Sequence, residues 1–254
     1  MIIAGKKRKS DAKRKTDSLI ILLSLIFSIS LIFAIIIADY EIIAFNQDYY
    51  EMEFSKLGVY SAFESRGISK EELDFKTRET LVFFKGKGEL PLDFFLPDEE
   101  SHMNDVREVM GKIDAFWKAS ILLIIASIIA IAAIFKRSGI KKAGEVFSKT
   151  ALVITTALGI IGLLMLSKIN FEPLFIGFHR IFFPGGNWTF PIDSTIIMMF
   201  PEAFFQRIAA RIFFFSGLSL LAAAMLFSLA AKIAEKRDRK KLPEKDRTWR
   251  FQVK

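Results

Sequence analysis

Four stretches of the chain, residues 18–38, 119–135, 150–167 and 212–231, carry no charged side chain and are dominated by apolar ones. Crossing about 30 Å of hydrocarbon at 1.5 Å per residue takes roughly 17–25 residues of helix. Each stretch is long enough, and each is predicted to be a transmembrane helix. The first follows a basic cluster, Lys6-Lys7-Arg8-Lys9, as a signal peptide would. Its apolar run is longer than the usual signal core and no small-x-small site follows, so an uncleaved anchor is expected.

The polar intervals define the rest. Residues 1–17 form a basic arm, 136–149 a short basic loop and 232–254 a charged tail. Residues 39–118 are too many for a bare connection and are expected to fold as a cap. Within them, Thr80-Leu81-Val82-Phe83-Phe84, bounded by Gly86 and Gly88, reads as a short strand and turn, and Leu90–Pro97 as an extended apolar edge. Asp98 reads as an N-cap with Glu99 and Glu100 in the first turn. Met103, Val106, Met110, Ile113 and Trp117 then recur at helical spacing, predicting one helix from Glu99 to Phe135. In 168–211, Pro173, Pro184, Pro191 and Pro201 cut the chain into pieces too short to span, which predicts a re-entrant or surface-lying segment. The expected fold is an all-α membrane protein: a four-transmembrane-helix bundle with an extracytoplasmic cap containing short strands and helices.

Charge fixes the expected orientation. The chain has 36 Lys+Arg against 28 Asp+Glu, a formal net charge of +8. The arm, the 136–149 loop and the tail together hold 22 of the basic residues and 7 of the acidic ones. Cytoplasmic segments retain Lys and Arg, so both termini are expected in the cytoplasm and the cap outside a plasma membrane. The basic excess is then topology and attraction to anionic lipid, and no nucleic-acid partner is predicted. Mean hydropathy of +0.35 argues equally against a soluble enzyme. With no Cys, disulfides, thiolate metal sites and a cysteine nucleophile are excluded.

Candidate chemistry rests on two histidines, both in the outer segments. His102 and Asp105 are three residues apart, so the carboxylate can orient the imidazole; a solvated helix end has the same spacing. His179 lies in a run of 40 residues, 168–207, that contains ten aromatics. An interfacial belt accounts for several of these, but it does not require His179-Arg180, the Pro184–Trp188 turn or Asp193. A zinc set built from the two histidines with Asp105 or Asp193 lacks the H-E-x-x-H spacing, and no metal or cofactor is predicted. The spans contain no internal charge to mark a transport pathway.

Glu100-Ser101-His102-Met103-Asn104-Asp105-Val106 and Phe178-His179-Arg180-Ile181-Phe182-Phe183, followed by Trp188, Asp193 and Met199–Phe205, resemble the lipoprotein intramolecular transacylase family. The resemblance covers most of the chain from the first span to the fourth; the basic arm and charged tail exceed it. It implies a four-helix membrane enzyme that moves an acyl chain from the sn-2 ester of a diacylglyceryl group to the N-terminal Cys amine of a lipoprotein, giving a lyso-form lipoprotein. Its partners would be a lipid-modified protein and membrane lipid. By the same resemblance His102 and His179 are the catalytic pair, with His102 as general base and His179 stabilising the oxyanion or protonating the alkoxide. Asp105, Arg107, Arg180, Phe178, Phe182, Phe183, Trp188 and Asp193 are the supporting or substrate-binding candidates. Such a transfer brings its own nucleophile, which fits the absence of a G-x-S-x-G motif. The competing reading is a non-catalytic membrane protein that binds lipid or assists assembly.

Overall fold

The computed structural model describes residues 2–166 and 171–241. Its helices are α1 (Ile2–Ala44), α2 (Gln47–Leu57), α3 (Val59–Glu64), α4 (Lys70–Phe84), α5 (Pro97–Leu166), α6 (Glu172–Phe182), α7 (Thr195–Met199) and α8 (Glu202–Lys241). Four helical stretches are long and apolar enough to cross a membrane: Arg14–Ala44, Pro97–Phe135, Gly139–Met165 and Glu202–Ile233. Leu122, Ile129, Leu163 and Leu226 on them are more than 60% exposed, as side chains facing lipid would be.

Among the described residues there is no strand, which corrects the expectation for Thr80–Phe84. These residues form the last turns of α4. Ser69 caps that helix by accepting from the Glu72 N–H at 3.2 Å, and Glu71 and Glu72 occupy its first turn. Leu73, Thr77, Leu81 and Phe84 then fall on one buried face. The helical period outweighs the local β-propensity of Leu-Val-Phe-Phe, because a three-to-four-residue repeat has a core to face and an isolated strand has no partner. Leu90–Leu96 runs through a turn closed by Phe94 N–H to Pro91 O at 3.0 Å, rather than as an extended edge. The cap assigned to Asp98 moves as well. The helix begins at Pro97, where proline's missing N–H costs nothing, and the Glu99 carboxylate reaches back to the Leu96 N–H at 2.8 Å.

The second and third candidate spans, Pro97–Phe135 and Gly139–Met165, approach closely at Gly139. A Cβ on Gly139 would lie 2.8 Å from the Ile131 side chain and 3.2 Å from its carbonyl oxygen. A side chain at Gly139 would collide with Ile131 and Phe135.

Contacts group the chain into two units. The first takes segments up to 35, 120–156 and from 217 onward. Phe27, Phe147 and Phe227, one from each segment, meet with ring centroids 4.9–6.3 Å apart. Thr155 Oγ1 lies 3.4 Å from the Gly217 carbonyl and Ser228 donates to Ser148 at 3.2 Å, the small-residue contacts that bring helices together in lipid. The second unit takes 36–119 and 157–216. Its core is aromatic: Tyr49, Tyr50, Phe54 and Tyr60 of α2 and α3 pack with Phe200 and Phe204. Phe54 is fully buried, with the Tyr50, Tyr60, Phe200 and Phe204 rings each about 6 Å away. Such pairs add about 0.5–1.5 kcal/mol each beyond area burial.

Candidate functional site

The site lies wholly within the second unit and begins with α6. Pro173 sits in its first turn, and His179 is its one buried side chain. Beyond Phe182 the chain turns back through Gly186, held at φ +78°, with the Gly186 N–H donating to Phe183 O at 3.1 Å. A left-handed φ favours a residue without Cβ. This reversal folds Phe183, Asn187, Trp188 and Phe190 onto the same region as His179 and the first turns of α5.

His102 and His179 meet there, 77 positions apart in the chain, with ring centroids 6.0 Å apart and planes inclined by 29°. Phe183 touches both rings, at 4.8 Å from His102 and 5.6 Å from His179. Phe175 lies 4.1 Å and Trp188 4.9 Å from His179, and Phe190 lies 5.7 Å from His102. Phe178 packs edge-on against His179 at 5.5 Å and stacks obliquely with Phe182 at 4.6 Å; both phenylalanines are largely exposed. The imidazoles thus sit in an aromatic chamber, each less than one tenth exposed.

The rings differ in their polar partners. His179 Nδ1 lies 2.7 Å from the Phe175 carbonyl oxygen. An acceptor-only partner demands that Nδ1 carry the proton, which leaves Nε2 with a lone pair. His102 Nδ1 is buried without a hydrogen-bond partner. Asp105 does not orient it as the spacing suggested. Its Oδ2 instead accepts from Asn187 Nδ2 at 2.6 Å, and the same amide lies 3.3 Å from Ser101 Oγ.

Burial holds both imidazoles neutral. His102 is pushed down to about 4, chiefly by burial and then by the neighbouring His179, with the Asp105 charge opposing. His179 is lowered by burial against the upward pull of its bond to Phe175. An unfolded His102 takes up a proton near 6.5 and the folded one only near 4. Between these values the unfolded chain binds more protons, so stability is intact above about pH 7 and falls as the pH drops toward 4, by up to ~3 kcal/mol from this residue. Unfolding followed in detergent at pH 7.5, 6 and 5 checks this: His102→Leu should flatten the acid-side loss, and an unchanged slope would disprove the assignment.

The other sequence candidates lie elsewhere. Arg180 and Asp193 are exposed, and the Asp193 backbone carbonyl accepts from Arg66 at 2.8 Å. Arg107 lies over the Phe83 ring at 4.6 Å and lines a cavity of about 870 Å³ with Asn104, Glu108, Gly111 and Lys118. Five residues from His102 is about 140° around a helix, so that cavity opens on another face of α5. Sequence reading missed the parts played by Phe175, Phe190 and Asn187. Phe175 is one helical turn before His179, which was a usable signal; Asn187 acts through the fold, across more than 80 residues. Among the described residues no group of three or more His, Asp or Glu side chains is arranged to hold a metal ion.

A family model described as lipoprotein intramolecular transacylase Lit matches residues 25–205, well over half of the chain. A solved structure of the membrane-integral lipoprotein intramolecular transacylase Lit from Bacillus cereus superposes with a TM-score of 0.69 at 22% identity, covering 89% of this chain and 100% of that one. A structure of the same protein carrying a histidine substitution gives a TM-score of 0.66 at 20% identity, over 92% of this chain and 100% of that one. At these identities the structures establish the common fold. No curated protein matches the sequence.

Proposed function

Because the chain belongs to the lipoprotein intramolecular transacylase family and is a multi-pass membrane protein, we propose that it transfers an acyl chain from the sn-2 ester of a lipoprotein's diacylglyceryl group to the amine of the same lipoprotein's N-terminal Cys, using His102 and His179. The observation that carries the reading is the pairing of two buried, neutral imidazoles with unequal hydrogen bonding.

The tautomer of His179 favours a division of labour opposite to the one the resemblance first suggested. With Nδ1–H held by the Phe175 carbonyl, Nε2 is the free lone pair, so His179 serves as general base and takes a proton from the attacking amine. His102, neutral and depressed by burial, donates its remaining N–H to the oxyanion as the ester carbonyl becomes tetrahedral. The new bond joins the amine nitrogen to the acyl carbon, the bond to the glyceryl oxygen breaks, and the proton held by His179 passes to that oxygen. No group is left on the protein and no cofactor is consumed. Phe175, Phe183, Trp188 and Phe190 shape the chamber and exclude water. Folding amine and ester of one molecule together supplies an effective molarity of roughly 10⁵ M or more, a larger factor than the proton transfer itself.

In this reading residues 18–38, 119–135, 150–167 and 212–231 are the spans, and 1–17, 136–149 and 232–254 face the cytoplasm. Residues 39–118 and 168–211 form the extracytoplasmic side in the plasma membrane, where the lipoprotein and its lipid are met. Mass spectrometry of the N-terminal peptide of a reporter lipoprotein, coexpressed with wild type, His102→Ala or His179→Ala, tests it. The expected result is an N-acylated lyso-form with wild type alone at equal membrane abundance. A reporter that keeps both glyceryl acyl chains and a free amine beside folded wild-type protein would refute it.

A further inference from the structure

We infer that the Asn187 side-chain carbonyl receives an N–H of the substrate's primary amine, so that Asn187 selects a lipoprotein whose N-terminus is free; this rests on the acyl-transfer reading for the identity of the site. The argument starts from the orientation of the amide. The Asp105 carboxylate is an acceptor, and its Oδ2 lies 2.6 Å from the Asn187 amide nitrogen. Only the NH₂ end can face it, so the two ends of the amide are not interchangeable here. Ser101 Oγ, 3.3 Å away, lies at the same end.

Fixing Nδ2 fixes Oδ1 on the opposite side. That oxygen is buried and has no donor within reach, and His102 Nδ1 is likewise buried without a partner. Ser101 and Asp105, which grip the amide, bracket His102 on α5, while Trp188, next in sequence to Asn187, packs on His179. The unpartnered oxygen therefore belongs to the same chamber as the histidine pair. Buried acceptors without donors are rare in folded chains and recur where a ligand completes them. What the Asn187 oxygen lacks is a donor, and an arriving amine is rich in donors: it has two N–H groups, or three as an ammonium. With one N–H on His179 Nε2 and another on Asn187 Oδ1, the nitrogen lone pair is left to point at the ester. An N-acylated lipoprotein has one N–H at most and satisfies fewer of these acceptors, so the product is released and an already acylated protein is refused.

The test uses the full-length protein in nanodiscs and a dialkylglyceryl-cysteinyl peptide, ether-linked so that no acyl group moves, with its N-terminus free or acetylated. The free-amine peptide should bind wild type about tenfold more tightly than the acetylated one, the effect of one buried hydrogen bond. Asn187→Ala should erase that preference. Asp105→Ala leaves the carbonyl in place with only Ser101 to hold the NH₂ end, so the preference should be weakened but not erased. Wild type that binds both peptides equally overturns the inference, as does an Asn187→Ala protein that still discriminates. A preference lost equally in Asn187→Ala and Asp105→Ala, with the same fall in melting temperature, assigns Asn187 to tying the turn to α5 and also overturns it. Transfer from an ester-linked reporter is measured separately. No transfer beside an intact amine preference sinks the transacylase reading and leaves the amine contact standing.

Discussion

Replacing His179 with asparagine is expected to lower the rate of acyl transfer by about 10²–10⁴-fold while the protein stays folded. The choice of asparagine isolates the role. Its amide N–H occupies roughly the position of imidazole Nδ1 and can keep the bond to the Phe175 carbonyl, so packing against Phe175 and Trp188 is disturbed as little as any substitution allows. What disappears is the lone pair on Nε2. His102→Ala should cost a comparable 10²–10³-fold by removing an oxyanion donor, and the pair of variants should be far from additive because both act on one tetrahedral intermediate. The assay is single-turnover conversion of a diacyl reporter, read by mass spectrometry. Activity within tenfold of wild type in His179→Asn, beside a collapse in His102→Ala, would return the base to His102.

The second large effect is on stability. Glu99 is 1% exposed, and its two oxygens hold two different pieces of chain: Oε2 accepts from Leu96 N–H at 2.8 Å and Oε1 from Ile196 N–H at 3.0 Å. It starts α5 and ties the first turn of α7 to it in one side chain. Glu99→Ala leaves the buried Ile196 amide without an acceptor, frees the part-buried Leu96 amide, and should cost roughly 2–4 kcal/mol. Glu99→Gln keeps one carbonyl oxygen, turns an NH₂ toward the other amide, and should cost less than the alanine. Thermal unfolding in detergent measures the loss, and hydrogen exchange at Ile196 should rise first. A Glu99→Ala protein within about 0.5 kcal/mol of wild type would show that neither bond matters.

How legible this molecule is depends on the range of the interaction concerned. The four apolar stretches declare themselves because a span needs only composition and length, both local properties. The error at Thr80–Phe84 arose where a five-residue window rich in Leu, Val and Phe was weighed without Ser69, whose cap sets the helical register eleven residues earlier. The N-cap at Asp98 failed for a related reason. A carboxylate near a helix start is equally at home as cap or as N3 side chain, and Glu99 takes the second role, reaching back to the Leu96 N–H. The histidines were visible as residue types, but their approach to one another was not, since no local pattern brings positions 102 and 179 within 6.0 Å. Arg107 and Arg180 illustrate the limit. Arg180 follows His179 directly and Arg107 comes five residues after His102, and each points elsewhere because those steps turn a helix by about 100° and 140°.

The Phe175 carbonyl that holds His179 is main chain, and this separates what the position does from what its side chain does. A side-chain scan of α6 would pass over residue 175 as a phenylalanine lining a chamber, tolerant of any ring of similar size, and leave the orienting atom in place. Residue 175 is therefore free to drift while the proton on His179 stays where it is. The instruction that sets the tautomer is carried by the continuity of one helical turn. It would be erased by a change that bends the backbone there, a proline at Gly177 or Phe178 for instance, while every side chain in the chamber remained present.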